Sequence, residues 1–162
     1  MATHRQCTID IENGCSNYVL CSPRGFYRSG SCTKPLPLTV GPSKSESAVF
    51  SKSPFRLTGA VGVITYDLLN NQTNEVAEKL AVMFSVPFDF NLYSNCYAVG
   101  IFDMSKDCDE KLFHEMYKNE QRSFIRGEAK GPYLTYRSHD INITATMTDT
   151  SKPVMKVQLS NK

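Results

Sequence analysis

Tryptophan is absent from the 162 residues, and no stretch is long and apolar enough to cross a bilayer as a helix, which takes about 20 residues. Charge of either sign is also in short supply. Eighteen Lys and Arg stand against sixteen Asp and Glu, a formal net charge of +2 with no basic block, so no nucleic-acid partner is expected. The chain carries no GxSxG, HExxH, P-loop or dinucleotide glycine fingerprint. Gly59-Ala60-Val61-Gly62 lies inside a strand-like run with no helix after it, so no enzymatic chemistry is expected. Histidines are few, at His4, His114 and His139. The cysteines (Cys7, Cys15, Cys21, Cys32, Cys96 and Cys108) match no zinc spacing, and neither a metal nor a cofactor is expected. Asp107, Asp109 and Glu110 are acidic because they open a helix, where a cap and the helix dipole favour them. Cys108 and His114 are six positions apart, which sets them on different faces of an ideal helix and speaks against a nucleophile and base pair. The opening MATHRQCT has no apolar core of a leader peptide; with Met1 as initiator the expectation is a soluble chain with reduced thiols.

What is present belongs to one globular domain over residues 1–162. Hydrophobic residues make up 41% of the chain, with nine Phe and eight Tyr, enough to bury a core of this size. Short β-rich runs recur between turn residues: Thr8 to Ile11, Tyr18 to Cys21, Leu36 to Val40, Ala48 to Phe50, Leu57 to Leu68, Leu80 to Phe84, Cys96 to Phe102, Asp140 to Thr148 and Val154 to Leu159. Ser22-Pro23-Arg24-Gly25 reads as a turn closing the second run. In Ile141 to Met147 every second residue is apolar, as a half-buried strand requires. Only Asp107 to Asn119 holds helical spacing, with Leu112, Phe113, Met116 and Tyr117 on one face. The expected architecture is all-β, a sandwich with one flanking helix at about residues 107–119.

One segment departs from ordinary loop composition. Val82 to Asn95 combines Phe84, Phe88, Phe90, Leu92 and Tyr93 with Pro87 and polar turn residues. It reads either as a buried loop or as an exposed aromatic rim that meets a membrane or ligand, where tyrosine suits the boundary between apolar and wet surroundings.

The run VMFSVPFDFNLYSN resembles the VMFSVPFDYNWYSN signature of the actinoporins, pore-forming cytolysins of sea anemones and their relatives. Phe26-Tyr27-Arg28-Ser29-Gly30 is similar to the family's AYFRSG, Leu57 to Val61 to its ATGAV, Leu112 to Lys118 to its tyrosine-bearing helix, and Arg126-Gly127-Glu128 stands where the family often has RGD. The resemblance implies a β-sandwich that binds the phosphocholine head of sphingomyelin or phosphatidylcholine. By motif, the headgroup residues fall on Arg28, Ser29, Val61, Ser85, Pro87, Tyr93, Phe113 and Tyr117. Arg28, Ser29 and Ser85 can donate to a phosphate, and aromatic faces can meet a quaternary ammonium.

The membrane-contact positions implied by the resemblance are Phe90, Leu92, Cys96, Tyr97 and Lys118. Leu92, Cys96 and Tyr97 stand where the family has tryptophan, and Phe113 and Lys118 where it has tyrosine, so weaker interfacial anchoring is expected. The family's pore-lining helix precedes the first strand, and no counterpart precedes Thr8. The expectation is therefore membrane binding without efficient perforation. The partners expected are phosphocholine lipids, the membrane surface and, on it, further copies of the chain. The location follows as cytoplasmic or secreted, peripheral on target membranes. A lectin-like module that binds carbohydrate or protein is the alternative reading of the same sandwich.

Overall fold

The computed structural model describes residues 4–89, 93–118 and 123–162. Two six-stranded sheets face each other. The first has the order β10-β11-β12-β1-β5-β3, built from β1 (Gln6–Gly14), β3 (Ser31–Lys34), β5 (Lys44–Ser51), β10 (Leu134–Arg137), β11 (Ile141–Met147) and β12 (Val154–Asn161). The second has the order β4-β2-β6-β7-β8-β9, from β2 (Tyr18–Ser29), β4 (Thr39–Val40), β6 (Ala60–Asn70), β7 (Glu75–Val86), β8 (Cys96–Asp103) and β9 (Phe124–Glu128). All strand pairs are antiparallel except β1 with β12. The single helix among the described residues, α1 (Glu110–Lys118), packs on the outer face of the second sheet against β2, β6, β7, β8 and β9.

The alternation of side chains builds two cores from three central strands. On β7, Leu80, Val82, Phe84 and Val86 enter the layer between the sheets, while Ala81 and Met83 turn toward the helix. On β8, Tyr97, Val99 and Ile101 join the first core, and Cys96, Ala98 and Phe102 the second. Strands buried on both faces read as continuous apolar runs; β11 and β12, buried on one face, read as alternations. Leu112, Phe113 and Met116 supply the buried face of α1.

Several boundaries differ from the expectations for physical reasons. Asp109 caps the helix by accepting the Leu112 amide at 3.0 Å, so Asp107 and Cys108 lie before it; Asn119 falls outside the described residues. Ser22 to Gly25 is no turn. Strand β2 continues through it, absorbing an extra residue in a bulge between Cys21 and Arg24 with Ser22 at φ 50°. The Leu36 to Val40 run yields only the two-residue β4, and the Leu57 run becomes strand at Ala60. Strands β3, β9 and β10 were not expected. They are short edge segments of mixed polarity whose backbone bonds come from a neighbouring strand rather than from a local apolar pattern. Gly30, at φ 84°, carries the chain from one sheet to the other; a Cβ there would sit 2.3 Å from the Ser51 carbonyl oxygen.

Candidate functional site

Strand register assembles the floor of a surface cavity. Ser29 on β2 pairs with Val61 on β6, and Val61 pairs with Ser85 on β7, so three residues far apart in sequence form one row. Arg28 precedes Ser29 directly, and consecutive strand residues ordinarily face opposite sides. A second register shift, between Tyr27 and Ser29, relaxes that rule and brings both to the same cavity. Helix α1 supplies one wall with Phe113, His114, Tyr117 and Lys118, and the loop after β7 the other with Pro87 and Tyr93. The cavity measures about 240 Å³. All eight residues expected at the headgroup site line it, joined by His114 and Lys118.

Arg28 and the ring stack define its chemistry. An Arg28 Nη1–H donates to His114 Nε2 at 3.1 Å, and the guanidinium lies 5.9 Å from the Phe113 ring centre. Arginine has no acceptor, so this bond requires an unprotonated Nε2 on His114. Glu110 Oε1 stands 3.8 Å from the same nitrogen. Phe113 and Tyr117 stack at 5.6 Å between centroids, with Phe26 at 6.5 Å from Phe113 and the Arg126 guanidinium 5.3 Å from the Tyr117 ring. Burial raises the Tyr117 hydroxyl above its ordinary value, helped by the neighbouring Cys96 and opposed by Arg126, so the phenol stays neutral. Burial likewise raises the Cys96 thiol, against the pull of Arg126 and a bond to Ser85. The site thus offers donors and a fixed cation beside aromatic faces. That combination suits a group that carries an anion and a bulky cation a few ångströms apart.

The loop wall is held from below by Arg5. Its guanidinium donates to the Pro87 carbonyl at 3.2 Å and to the Phe88 carbonyl at 2.8 Å, and lies over the Phe88 ring at 5.3 Å. Of the membrane-contact positions, Phe90 and Leu92 lie outside the described residues. Lys118 is exposed at the cavity rim. Cys96 and Tyr97 correct the expectation: both belong to β8, paired on each side, and are 3% and 1% exposed. Cys96 packs beneath the helix, while Tyr97 enters the core between the sheets, where its hydroxyl donates to the Ala145 carbonyl at 3.2 Å. The helix covers Cys96 and the facing sheet covers Tyr97, so neither side chain reaches the surface.

Two features escaped the sequence reading. His114 follows Phe113 and precedes Tyr117 by three positions, a helical neighbourhood that could have marked it for the same cavity. The other is the connection from β5 to β6. Phe55 is fully exposed and Leu57 is 78% exposed. The Arg56 amide bonds back to the Ser53 carbonyl at 3.4 Å, a turn with Pro54 second and Phe55 third at φ 61°. A positive φ after proline is the position that glycine or asparagine ordinarily fills. Its last residue before β6, Gly59, lies against the backbone that flanks Pro87: a Cβ there would come within 1.9 Å of the Val86 carbonyl oxygen and 3.1 Å of the Phe88 nitrogen.

A profile of the family described as sea anemone cytotoxic protein matches residues 2–161. The chain belongs to this family, the actinoporins. Actinoporin relatives include DELTA-stichotoxin-Hcr4a of Radianthus crispa, 30% identical over 154 residues that span 94% of this chain and 80% of the toxin. DELTA-alicitoxin-Pse1b of Phyllodiscus semoni is 46% identical over 96 residues, 58% of this chain, and the chain spans only 39% of that relative's length. Among solved structures, the lipid binding protein Nakanori superposes with a TM-score of 0.72 over 96% of this actinoporin chain and 71% of Nakanori, at 11% identity. The Xerocomus chrysenteron lectin superposes at 0.55 over 97% of this chain and 99% of the lectin, at 10% identity. At such identities both show the sandwich fold alone.

Proposed function

We propose that this chain is the membrane-docking domain of a cytolytic, pore-forming protein, and that its cavity takes the phosphocholine headgroup of sphingomyelin or phosphatidylcholine. One observation supports the reading above the others. Arg28, Ser29 and Ser85 converge with Phe113, Tyr117 and Tyr93 on one cavity of about 240 Å³, an anion donor set beside a cation-binding aromatic wall. The phosphate accepts from Arg28 and the serine hydroxyls. The trimethylammonium rests against the tyrosine rings, where a desolvated cation gains about 2 kcal/mol per good aromatic face.

No helix among the described residues is long and apolar enough to cross a membrane. In this reading the sandwich docks on the bilayer surface. Its apolar contacts with the bilayer are Tyr93, 58% exposed, and Phe55 and Leu57 on the β5–β6 connection, with Lys52 and Arg56 near them in sequence to meet lipid phosphates. Docking makes no or breaks no covalent bond, and the work of the site is recognition rather than catalysis. Self-association on the membrane follows from the cytolytic reading.

Vesicle co-sedimentation run in parallel with dye release tests both halves. Sphingomyelin or phosphatidylcholine vesicles should pull the protein down, phosphatidylglycerol vesicles should do so far less, and soluble phosphocholine should compete. Equal binding to all three compositions, or binding to glycans without binding to vesicles, overturns the headgroup assignment. Dye release reads perforation separately from docking.

A further inference from the structure

At the end of the sandwich away from the cavity, three potential metal ligands converge from both sheets. Glu78 lies on β7 of the second sheet, seven residues from Ser85 and so roughly 23 Å along the strand from the cavity floor. His139 and Asp140 form the turn between β10 and β11 of the first sheet. Their ligand atoms all lie within 4.8 Å of one another. His139 Nε2 is 3.4 Å from Asp140 Oδ1 and 3.9 Å from Glu78 Oε1. Ligands at 2.0–2.1 Å around a tetrahedral zinc ion stand about 3.3 Å apart, so small side-chain rotations close the set.

Independent features hold Asp140 for such a role. Tyr18 donates its hydroxyl to Oδ2 at 2.5 Å, fixing the carboxylate, whereas Oδ1 is shielded from solvent and makes no hydrogen bond among the described residues. Ser138 locks the turn by donating from Oγ to the Ile141 carbonyl at 2.9 Å and accepting the Ile141 amide at 3.2 Å. The Lys162 amide bonds the Asp140 carbonyl at 3.1 Å. Other charged groups face the cluster: Asp103, paired with Glu78 across the strands, adds negative charge, and the Lys162 ammonium is taken up by the Ser138 carbonyl at 3.1 Å. Two carboxylates share this corner with one imidazole. A bound divalent ion would offset their repulsion and engage Asp140 Oδ1, which makes no hydrogen bond among the described residues.

We propose that Glu78, His139 and Asp140 bind a divalent transition ion of the zinc class, which ties β7 of one sheet to the β10–β11 turn of the other. The mixed nitrogen and oxygen donors favour zinc over calcium, which prefers oxygen alone. The site stands apart from the proposed headgroup cavity and does not depend on it. Its ligands are 61 residues apart in sequence at the nearest crossing, Glu78 to His139, so no short spacing motif announces it.

Calorimetric titration of the reduced protein with zinc chloride at pH 7.4, followed by thermal melts with and without zinc, provides the test. The intact chain should take up one equivalent that His139→Ala weakens at least tenfold, and zinc should raise the melting temperature of the intact chain but not of the variant. Tyr18→Phe, which frees Oδ2, should weaken binding by about tenfold, the cost typical of losing an outer hydrogen bond to a metal ligand. His139 is largely exposed, so its replacement leaves the fold intact. Equal zinc binding by His139→Ala would assign the ion to the free thiols and overturn the proposal. So would the absence of zinc uptake, or a calcium affinity above that for zinc.

Discussion

Arg28 and His114 meet at 3.1 Å across the mouth of the cavity, one from a bulged strand and the other from the helix. The contact points the guanidinium without neutralising it, because neutral imidazole accepts a bond and supplies no negative charge. Arg28 therefore keeps its charge for a phosphate. Charge-assisted hydrogen bonds contribute about 1.5–3 kcal/mol, so Arg28→Ala should weaken soluble phosphocholine binding roughly tenfold or more. Arg28→Lys should recover part of the loss, since an ammonium keeps the charge but not the fork. Calorimetry on the folded variants decides, and an Arg28→Ala affinity equal to that of the parent removes the phosphate from this place.

The two tyrosines of the cavity should contribute unequally. Tyr93 is 58% exposed, while Tyr117 is half-buried between the Phe113 stack and the Arg126 guanidinium. A cation gains about 0.5–1 kcal/mol on an exposed ring and about 2 on a desolvated one. Tyr93→Ala is therefore expected to cut phosphocholine affinity several-fold, and Tyr117→Ala to cut it further. Tyr117→Phe should retain most binding because the ring face survives. An order reversed between the two alanine variants would mean that the ammonium sits at the loop and not against the helix.

The sandwich was legible because its strands are written as alternations and apolar runs: Ile141 to Met147 shows one buried face, and Leu80 to Phe84 shows two. The cavity residues were legible through a motif whose parts the strand register then brings together, as in the row Ser29, Val61 and Ser85. What could not be read follows from non-local causes. Strand β9 owes its place to pairing with β8, and Cys96 and Tyr97 owe their burial to the helix on one face of β8 and the facing sheet on the other. The bulge at Ser22 hides behind a turn-like composition because Ser, Pro and Gly also serve where a strand must absorb an extra residue. The Glu78, His139 and Asp140 cluster joins two sheets, a proximity that no spacing rule contains.

Buried thiols should make the fold sensitive to alkali. Burial pushes the Cys7 thiol far above its ordinary range, and burial with the charge of Asp140 pushes Cys15 up to about 11. An unfolded thiol ionises near 8.5, so above that pH the unfolded chain has lost protons that the folded chain still holds. Stability is then fully present below about pH 8.5 and falls as pH rises toward the folded values, by about 1.4 kcal/mol per pH unit for a thiol held wholly neutral. Melting temperatures measured under reducing conditions should decline steadily from about pH 9 upward, and Cys7→Ala should show a shallower decline. A melting temperature that holds level to pH 10.5 contradicts this account.

Phe55 sets stability against docking. At φ 61° in a turn after Pro54, a bulky side chain carries backbone strain of about 1–3 kcal/mol, and its ring, fully exposed, recovers none of it in the folded protein. Asparagine accepts that conformation far better, so Phe55→Asn should raise the melting temperature. The same change removes an apolar ring worth about 1.5–3 kcal/mol when fully buried, and should weaken partitioning onto phosphatidylcholine vesicles by roughly tenfold or more, with Leu57→Ser adding to the loss. This turn does not line the cavity, so the affinity for soluble phosphocholine should not change. Vesicle binding that survives Phe55→Asn would place the bilayer elsewhere on the molecule. A parallel loss of soluble phosphocholine binding would instead show that the β5–β6 connection shapes the cavity through Gly59 rather than meeting lipid itself.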